Sequence, residues 1–293
     1  MQRIAIIGTG LMGGSLGLAL KAFGKPYQVS AWSRKSAERE KALRLGVCDE
    51  VFQTPEETVA DADISVFCTS VSSISPLIEQ CMGNFKGGSL VTDVGSTKTD
   101  IVRRCETVFA GKPFNFIGSH PMTGSEKSGQ DHAARDLYRG AVVALTPVSG
   151  SDRDLNRLQE FWKSVGGIPV TMDPEEHDRV IALTSHLTYL AASALASTVY
   201  QAGGAESAGM LCGPGFTDTT RVAGSAPAIW RDIAAGNTEN ILDALDAFIA
   251  ELSGIKSLME QREFQWLQNY LEESGRARAE LLAAKKTVIE ANS

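Results

Sequence analysis

Short apolar runs alternate with amphipathic helical patterns through the first 172 residues, and this alternation constrains the fold more than any other feature of the chain. Arg3-Ile4-Ala5-Ile6-Ile7 is a compact run that stops at Gly8, the pattern of a strand buried on both faces of a parallel sheet. Helical spacing follows over residues 13–23 and closes at Gly24 and Pro26, the usual stop chemistry. A second strand is expected at 27–32 and a second helix at 34–45, ending at Gly46. Further strands are expected at 64–68, 89–94, 115–117, 141–145 and 168–172, with helices near 55–61, 73–82, 97–109 and 152–164. Strands separated by helices build repeated βαβ units, so the expected fold is α/β with a mostly parallel sheet.

The texture changes after Met172. From Pro174 onward only helical periodicities remain: a stretch over 175–202 rich in Ala and Leu with His186 inside it, breaks at Gly203-Gly204 and Cys212-Gly213-Pro214-Gly215, and an apolar stripe from Ile241 after Asn237, a good N-cap. The division expected is residues 1–172 and an all-helical unit over 173–293. A net charge of -7 argues against nucleic acid or an anionic membrane as partner. Five scattered cysteines without C-x-x-C spacing fit reduced thiols in the cytoplasm better than disulfides or zinc. No uninterrupted apolar stretch approaches the roughly 20 residues of a membrane helix, so a soluble chain with no metal site is expected.

Gly8-Thr9-Gly10-Leu11-Met12-Gly13 matches G-x-G-x-x-G between strand and helix. The glycines allow a tight turn, close approach of backbone to a pyrophosphate, and close helix–strand packing, while the helix N-terminus offers free N–H groups to phosphates. The first unit is therefore expected to be a Rossmann-type, dinucleotide-binding domain. An NAD enzyme places an acid at the end of the second strand, about 20 residues on, to bind the ribose 2′-hydroxyl. Here the strand ends Trp32-Ser33-Arg34-Lys35 without one. Ser33, Arg34 and Lys35 suit a 2′-phosphate, so NADP is expected over NAD; Ser33 as a plain N-cap of the next helix is the structural alternative. Thr69, directly after the strand at 64–68, joins the candidate cofactor contacts.

Gly118-Ser119-His120-Pro121-Met122-Thr123-Gly124-Ser125-Glu126-Lys127-Ser128-Gly129 follows a strand and reads as a loop at the carboxyl edge, where ligands bind in open α/β sheets. An imidazole there is a general-base candidate. Three more segments stand in order around it: Val94-Gly95-Ser96-Thr97-Lys98, Leu183-Thr184-Ser185-His186-Leu187, and Gly215-Phe216-Thr217-Asp218-Thr219-Thr220-Arg221. Together these motifs resemble the prephenate/arogenate dehydrogenase family of tyrosine biosynthesis, over residues 3–255.

The resemblance implies an NAD(P)-dependent oxidative decarboxylation. His120 would take the proton of the substrate's ring hydroxyl, and Ser96 would help hold that histidine. Arg221 would clamp the ring carboxylate, with His186, Glu126 and Trp230 around the substrate. The helical unit would build a homodimer. Some prephenate-using relatives carry a lysine where this chain has Thr217; its loss removes a cation and favours arogenate. Local roles compete with these: His186 as a core histidine, Arg221 in a bridge to Asp218, Ser96 as an N-cap, Trp230 as core or interface. The rival enzymes are a β-hydroxyacid dehydrogenase or a pyrroline-carboxylate reductase. The former uses an interdomain lysine, and none lies between Met172 and Thr220. A nucleotide-sensing protein without turnover is the rival outside enzymes.

Overall fold

The structure is a computed structural model and describes residues 1–23, 26–125, 127–147 and 152–292. Strands β1 (Gln2–Ile7), β2 (Tyr27–Trp32), β3 (Glu50–Val51), β4 (Ile64–Phe67), β5 (Leu90–Asp93) and β6 (Asn115–Phe116) form one sheet in the order β3-β2-β1-β4-β5-β6. All of its pairings are parallel. Helices α1 (Leu11–Phe23), α2 (Ser36–Arg44), α3 (Pro55–Val59), α4 (Val71–Cys81) and α5 (Thr99–Phe109) connect them. Alternation along β1 explains the layering: Ile4 and Ile6 pack with Leu16 and Leu20 of α1, whereas Ala5 and Ile7 pack with Ile74 and Ile78 of α4 and Val102 of α5. Both faces are covered, so the strand is apolar at nearly every position.

Strands β7 (Gly118–Pro121), β8 (Val142–Thr146) and β9 (Ile168–Thr171) make a second sheet, antiparallel between β7 and β8 and parallel between β8 and β9. Helix α6 (Asp152–Ser164) lies between β8 and β9 and buries Leu158, Phe161 and Trp162 in the core shared with α1. Two expectations are corrected here. Of the segment 118–129, expected as a loop, Gly118–Pro121 with His120 is the strand β7. The second helix starts at Ser36 and not at residue 34. The two-residue strand β3 was missed because so short a run carries no periodicity.

After β9 the described chain is helical: α7 (Pro174–Ile181), a π-helical turn at 182–186, α8 (Leu187–Gly203), α9 (Pro214–Thr220), α10 (Pro227–Gly236), α11 (Thr238–Glu260) and α12 (Phe264–Asn292). Its own core is small, centred on Ala182, Ile241 and Ala244, while Leu183, Leu195, Tyr200, Leu242, Ile249 and Leu252 are exposed. Residues 174–208 form one continuous helix whose most apolar window has a mean hydropathy of 1.4, long and apolar enough by those measures to cross a membrane. Serine, threonine, His186 and Gln201 interrupt its apolar letters, so it is not the uninterrupted apolar stretch looked for in the sequence, but residues 180–205 carry no Asp, Glu, Lys or Arg.

Candidate active site

The strand order reverses between β1 and β4, and a cavity of about 620 Å³ opens there at the carboxyl ends of the strands. Gly8, Thr9, Gly10, Ser33, Arg34, Lys35 and Thr69 all line it. Gly8 has φ +101°, and a Cβ there would stand 2.7 Å from the Cys68 carbonyl oxygen. A Cβ on Gly13 would sit 1.9 Å from the Gly8 carbonyl oxygen, so the third glycine lets α1 approach the turn. Gly10 differs: nothing lies within 4 Å of where its Cβ would be, and the space it leaves belongs to the cavity. Leu11 and Met12 do not line the cavity; they open α1, and Met12 packs on the core.

Ser33 does not cap α2. Its hydroxyl lies 2.7 Å from Thr9 Oγ1 and accepts from the Thr9 amide at 3.1 Å, tying the end of β2 to the glycine turn. Buried Arg39 donates to the Ser33 carbonyl at 2.7 Å and holds the turn from beneath. Arg34 and Lys35 stand exposed on the rim. The Thr69 hydroxyl is buried beside the same space without a hydrogen-bond partner among the described residues. A glycine turn at a helix N-terminus, an open cradle at Gly10 and an unsatisfied hydroxyl fit a dinucleotide.

Behind this cleft the chain of β6 runs through Ile117 into β7 and leaves the first sheet. Two fully buried charges steer it. Asp93 accepts from the Ser119 amide at 3.1 Å, and Lys98 donates to the Ser119 carbonyl at 3.0 Å and to the Asp93 carboxylate. Paired and hydrogen-bonded, the two ions compensate each other's loss of water. Next in the strand, His120 is buried, only 9% exposed. Its Nδ1 lies 2.9 Å from His177 Nε2, and His177 Nδ1 donates to Asp178 Oδ1 at 2.8 Å. The Asp178 carboxylate accepts from the Lys98 and Thr99 amides, each at 2.8 Å, and so closes the N-terminus of α5 from α7. Burial, with added repulsion from His177, Lys98 and His186, holds the His120 pKa well below the ordinary imidazole value. Burial pushes Asp178 upward, but the bonds from His177, Thr99 and Lys98 outweigh it and leave its carboxyl below the usual range.

His186 joins the cluster from the π-helical turn. Asn237 bridges it to the main chain of Asp178, with its Nδ2 3.2 Å from His186 Nδ1 and 2.8 Å from the Asp178 carbonyl oxygen. Burial lowers the His186 pKa to about 4, against the pull of Asp178. Trp230 meets the His186 ring edge-on at 6.2 Å and stacks on Tyr189 at 3.7 Å. The structure therefore brings His120, His186 and Trp230 into one neighbourhood. Ser96 lies half-buried in the β5–α5 turn and makes no hydrogen bond to His120, whose Nδ1 is held by His177. Nor is Ser96 the cap of α5, which begins at Thr99 after Lys98. Arg221 is exposed at the end of α9, and Thr217 is exposed with its hydroxyl turned back to the Pro214 carbonyl. Glu126 lies outside the described residues. Sequence reasoning missed Lys98, His177 and Asp178, and took Asn237 for an N-cap only, although its side chain makes no capping bond. The adjacent His177-Asp178 on the first helix after the sheet, nine residues before His186, was the available signal.

A model of the prephenate dehydrogenase nucleotide-binding domain matches residues 16–170, and one of the prephenate dehydrogenase dimerization domain matches 173–273. The chain belongs to the prephenate dehydrogenase family. The prephenate dehydrogenase of Bacillus subtilis is 34% identical over 91% of this chain and 72% of its own. The cyclohexadienyl dehydrogenase of Zymomonas mobilis is 31% identical over 96% of each. The solved prephenate dehydrogenase of Aquifex aeolicus, in complex with hydroxyphenyl propionate and NAD+, superposes with a TM-score of 0.87 at 32% identity, covering 96% of this chain and 98% of that one. The chain is accordingly an NAD(P)-dependent dehydrogenase that oxidatively decarboxylates a prephenate-type substrate.

Proposed function

We propose that the chain acts on arogenate in preference to prephenate, with NADP as the preferred cofactor and His120 as the general base. The observation that carries this reading is the buried, uncharged imidazole of His120, whose Nε2 makes no hydrogen bond among the described residues. A base of this kind takes the proton of a ring hydroxyl. When bound, the oxidised nicotinamide supplies the acceptor for the hydride from the same carbon. The resulting ring ketone draws electrons from the C–CO2 bond, and loss of CO2 leaves an aromatic phenol, so the protein need only hold, orient and deprotonate. Gly8 to Gly13, Thr9 and Thr69 would hold the dinucleotide, and Ser33, Arg34 and Lys35 its 2′-phosphate; no acid at the end of β2 opposes that charge. Arg221 would hold the ring carboxylate, Glu126 would stand at the entrance, and Trp230 would line the pocket beside His186. Thr217 in place of a cation favours the substrate with an amino group.

The exposed apolar side chains of α8 and α11 and the small core beneath them support a homodimer through the helical half. Five free cysteines suit a reducing, cytoplasmic setting. The test is reduced-cofactor absorbance with NADP or NAD against arogenate or prephenate. The expected order of kcat/KM is NADP above NAD and arogenate above prephenate. A clear prephenate preference overturns the substrate reading, and no turnover with any pair overturns the activity.

A further inference from the structure

Asp178 touches both histidine branches, by its carboxylate on one side and its main-chain carbonyl on the other. A carboxylate only accepts hydrogen bonds. The proton shared at 2.8 Å with Asp178 Oδ1 therefore sits on His177 Nδ1, and where that is the only proton on the ring, Nε2 is bare. That nitrogen lies 2.9 Å from His120 Nδ1, and with it as acceptor His120 carries its proton on Nδ1 and leaves Nε2 bare. The second branch inverts the outcome. The Asp178 carbonyl also only accepts, so the Asn237 amide nitrogen faces it at 2.8 Å, while the Asn237 amide oxygen accepts from Asn240 Nδ2 at 2.8 Å. The same amide nitrogen donates to His186 Nδ1. His186 therefore carries its proton on Nε2, an atom buried without a hydrogen-bond partner among the described residues.

We infer that Asp178 is a positioning residue that sets opposite tautomers in two histidines of one hydrogen-bonded cluster. Through His177 it leaves His120 Nε2 bare, ready to take the substrate's hydroxyl proton; through Asn237 it leaves His186 Nε2–H as an uncharged donor for a substrate oxygen. The catalytic part of this inference rests on the proposed reaction; the tautomers do not. In the proton step the substrate O–H bond breaks, an N–H bond forms at His120 Nε2, and the positive charge gained by His120 lies two hydrogen bonds from the Asp178 carboxylate. The other charged or titratable groups facing His120 are Lys98, His177 and His186. Lys98 is matched by Asp93.

The test is the tautomeric state of the imidazoles in the full-length protein, read from nitrogen shifts of labelled histidine by NMR at neutral pH, with His120→Asn and His186→Asn assigning the signals. The expected wild-type spectrum has His120 protonated on Nδ1 and His186 on Nε2; either one reversed overturns the inference. His177→Phe removes the acceptor but leaves Asp178 closing α5. It is expected to move His120 to the Nε2–H form, lower kcat at least about tenfold and keep both KM values within about threefold, because a wrongly protonated base is misaligned and not lost. His177→Gln, with an amide oxygen and nitrogen in place of the two ring nitrogens, should restore most of that kcat. An unaltered kcat in His177→Phe, or the same loss in His177→Gln, overturns the positioning role. If the wild type turned over neither substrate, the proposed reaction would fall while the spectrum still decided the tautomers.

Discussion

Burial keeps the His120 imidazole uncharged at the pH where the reaction must run, and this sets the direction of its pH dependence. A pKa well below 6.5 means that activity is at its plateau at neutral pH and falls only in acid, as the base becomes protonated. His120→Asn is expected to lower kcat by about 10²–10⁴ while dinucleotide affinity, measured by fluorescence titration, stays unchanged. Stability follows the same sign at His186. Its pKa is about 4 in the fold against 6.5 free, so the unfolded chain binds more protons between those values. Stability from this group is complete above 6.5 and is lost as pH falls toward 4, which urea unfolding across that window will show. At the rim, Arg34→Ala is expected to reduce kcat/KM with NADP by about tenfold or more and leave NAD nearly untouched, since only the former loses a charge-assisted bond. Equal losses with both cofactors would refute the 2′-phosphate role.

At the scale of elements, the site depends on a strand that changes sheets. After Ile117 the chain leaves β5, and the Asp93–Lys98 pair grips both main-chain groups of Ser119 as it goes. Lys98→Met strands a buried carboxylate and is expected to cost about 3–5 kcal/mol, measured by denaturant unfolding, with much of it recovered in the double variant that adds Asp93→Asn. The regular strands of the first sheet were readable because burial on both faces leaves apolar runs. The conformation of β7 was not, since Gly118, Ser119 and Pro121 suggest a turn, and only pairing with β8 makes a strand of them. The glycine turn was readable for a local reason: Gly8 and Gly13 answer to atoms a few residues away or in the neighbouring strand.

Over the whole molecule, the helical half in one copy buries too little of its apolar surface to account for Leu195, Leu242, Ile249 and Leu252. Light scattering is expected to show a dimer, and Ile249→Glu on the exposed face of α11 is expected to shift it toward monomer; a wild-type monomer would refute the covered face. By itself the sequence determined the alternation of the longer strands and helices, the dinucleotide turn and the family, because these rest on periodicity and on motifs spanning a few residues. Only the tertiary structure decided how the base is held. His177 is 57 residues from His120, and Asn237 is 59 from Asp178. No local spacing records a hydrogen bond that exists only once α7, α11 and β7 have packed together, and it is that packing which dictates where each proton sits.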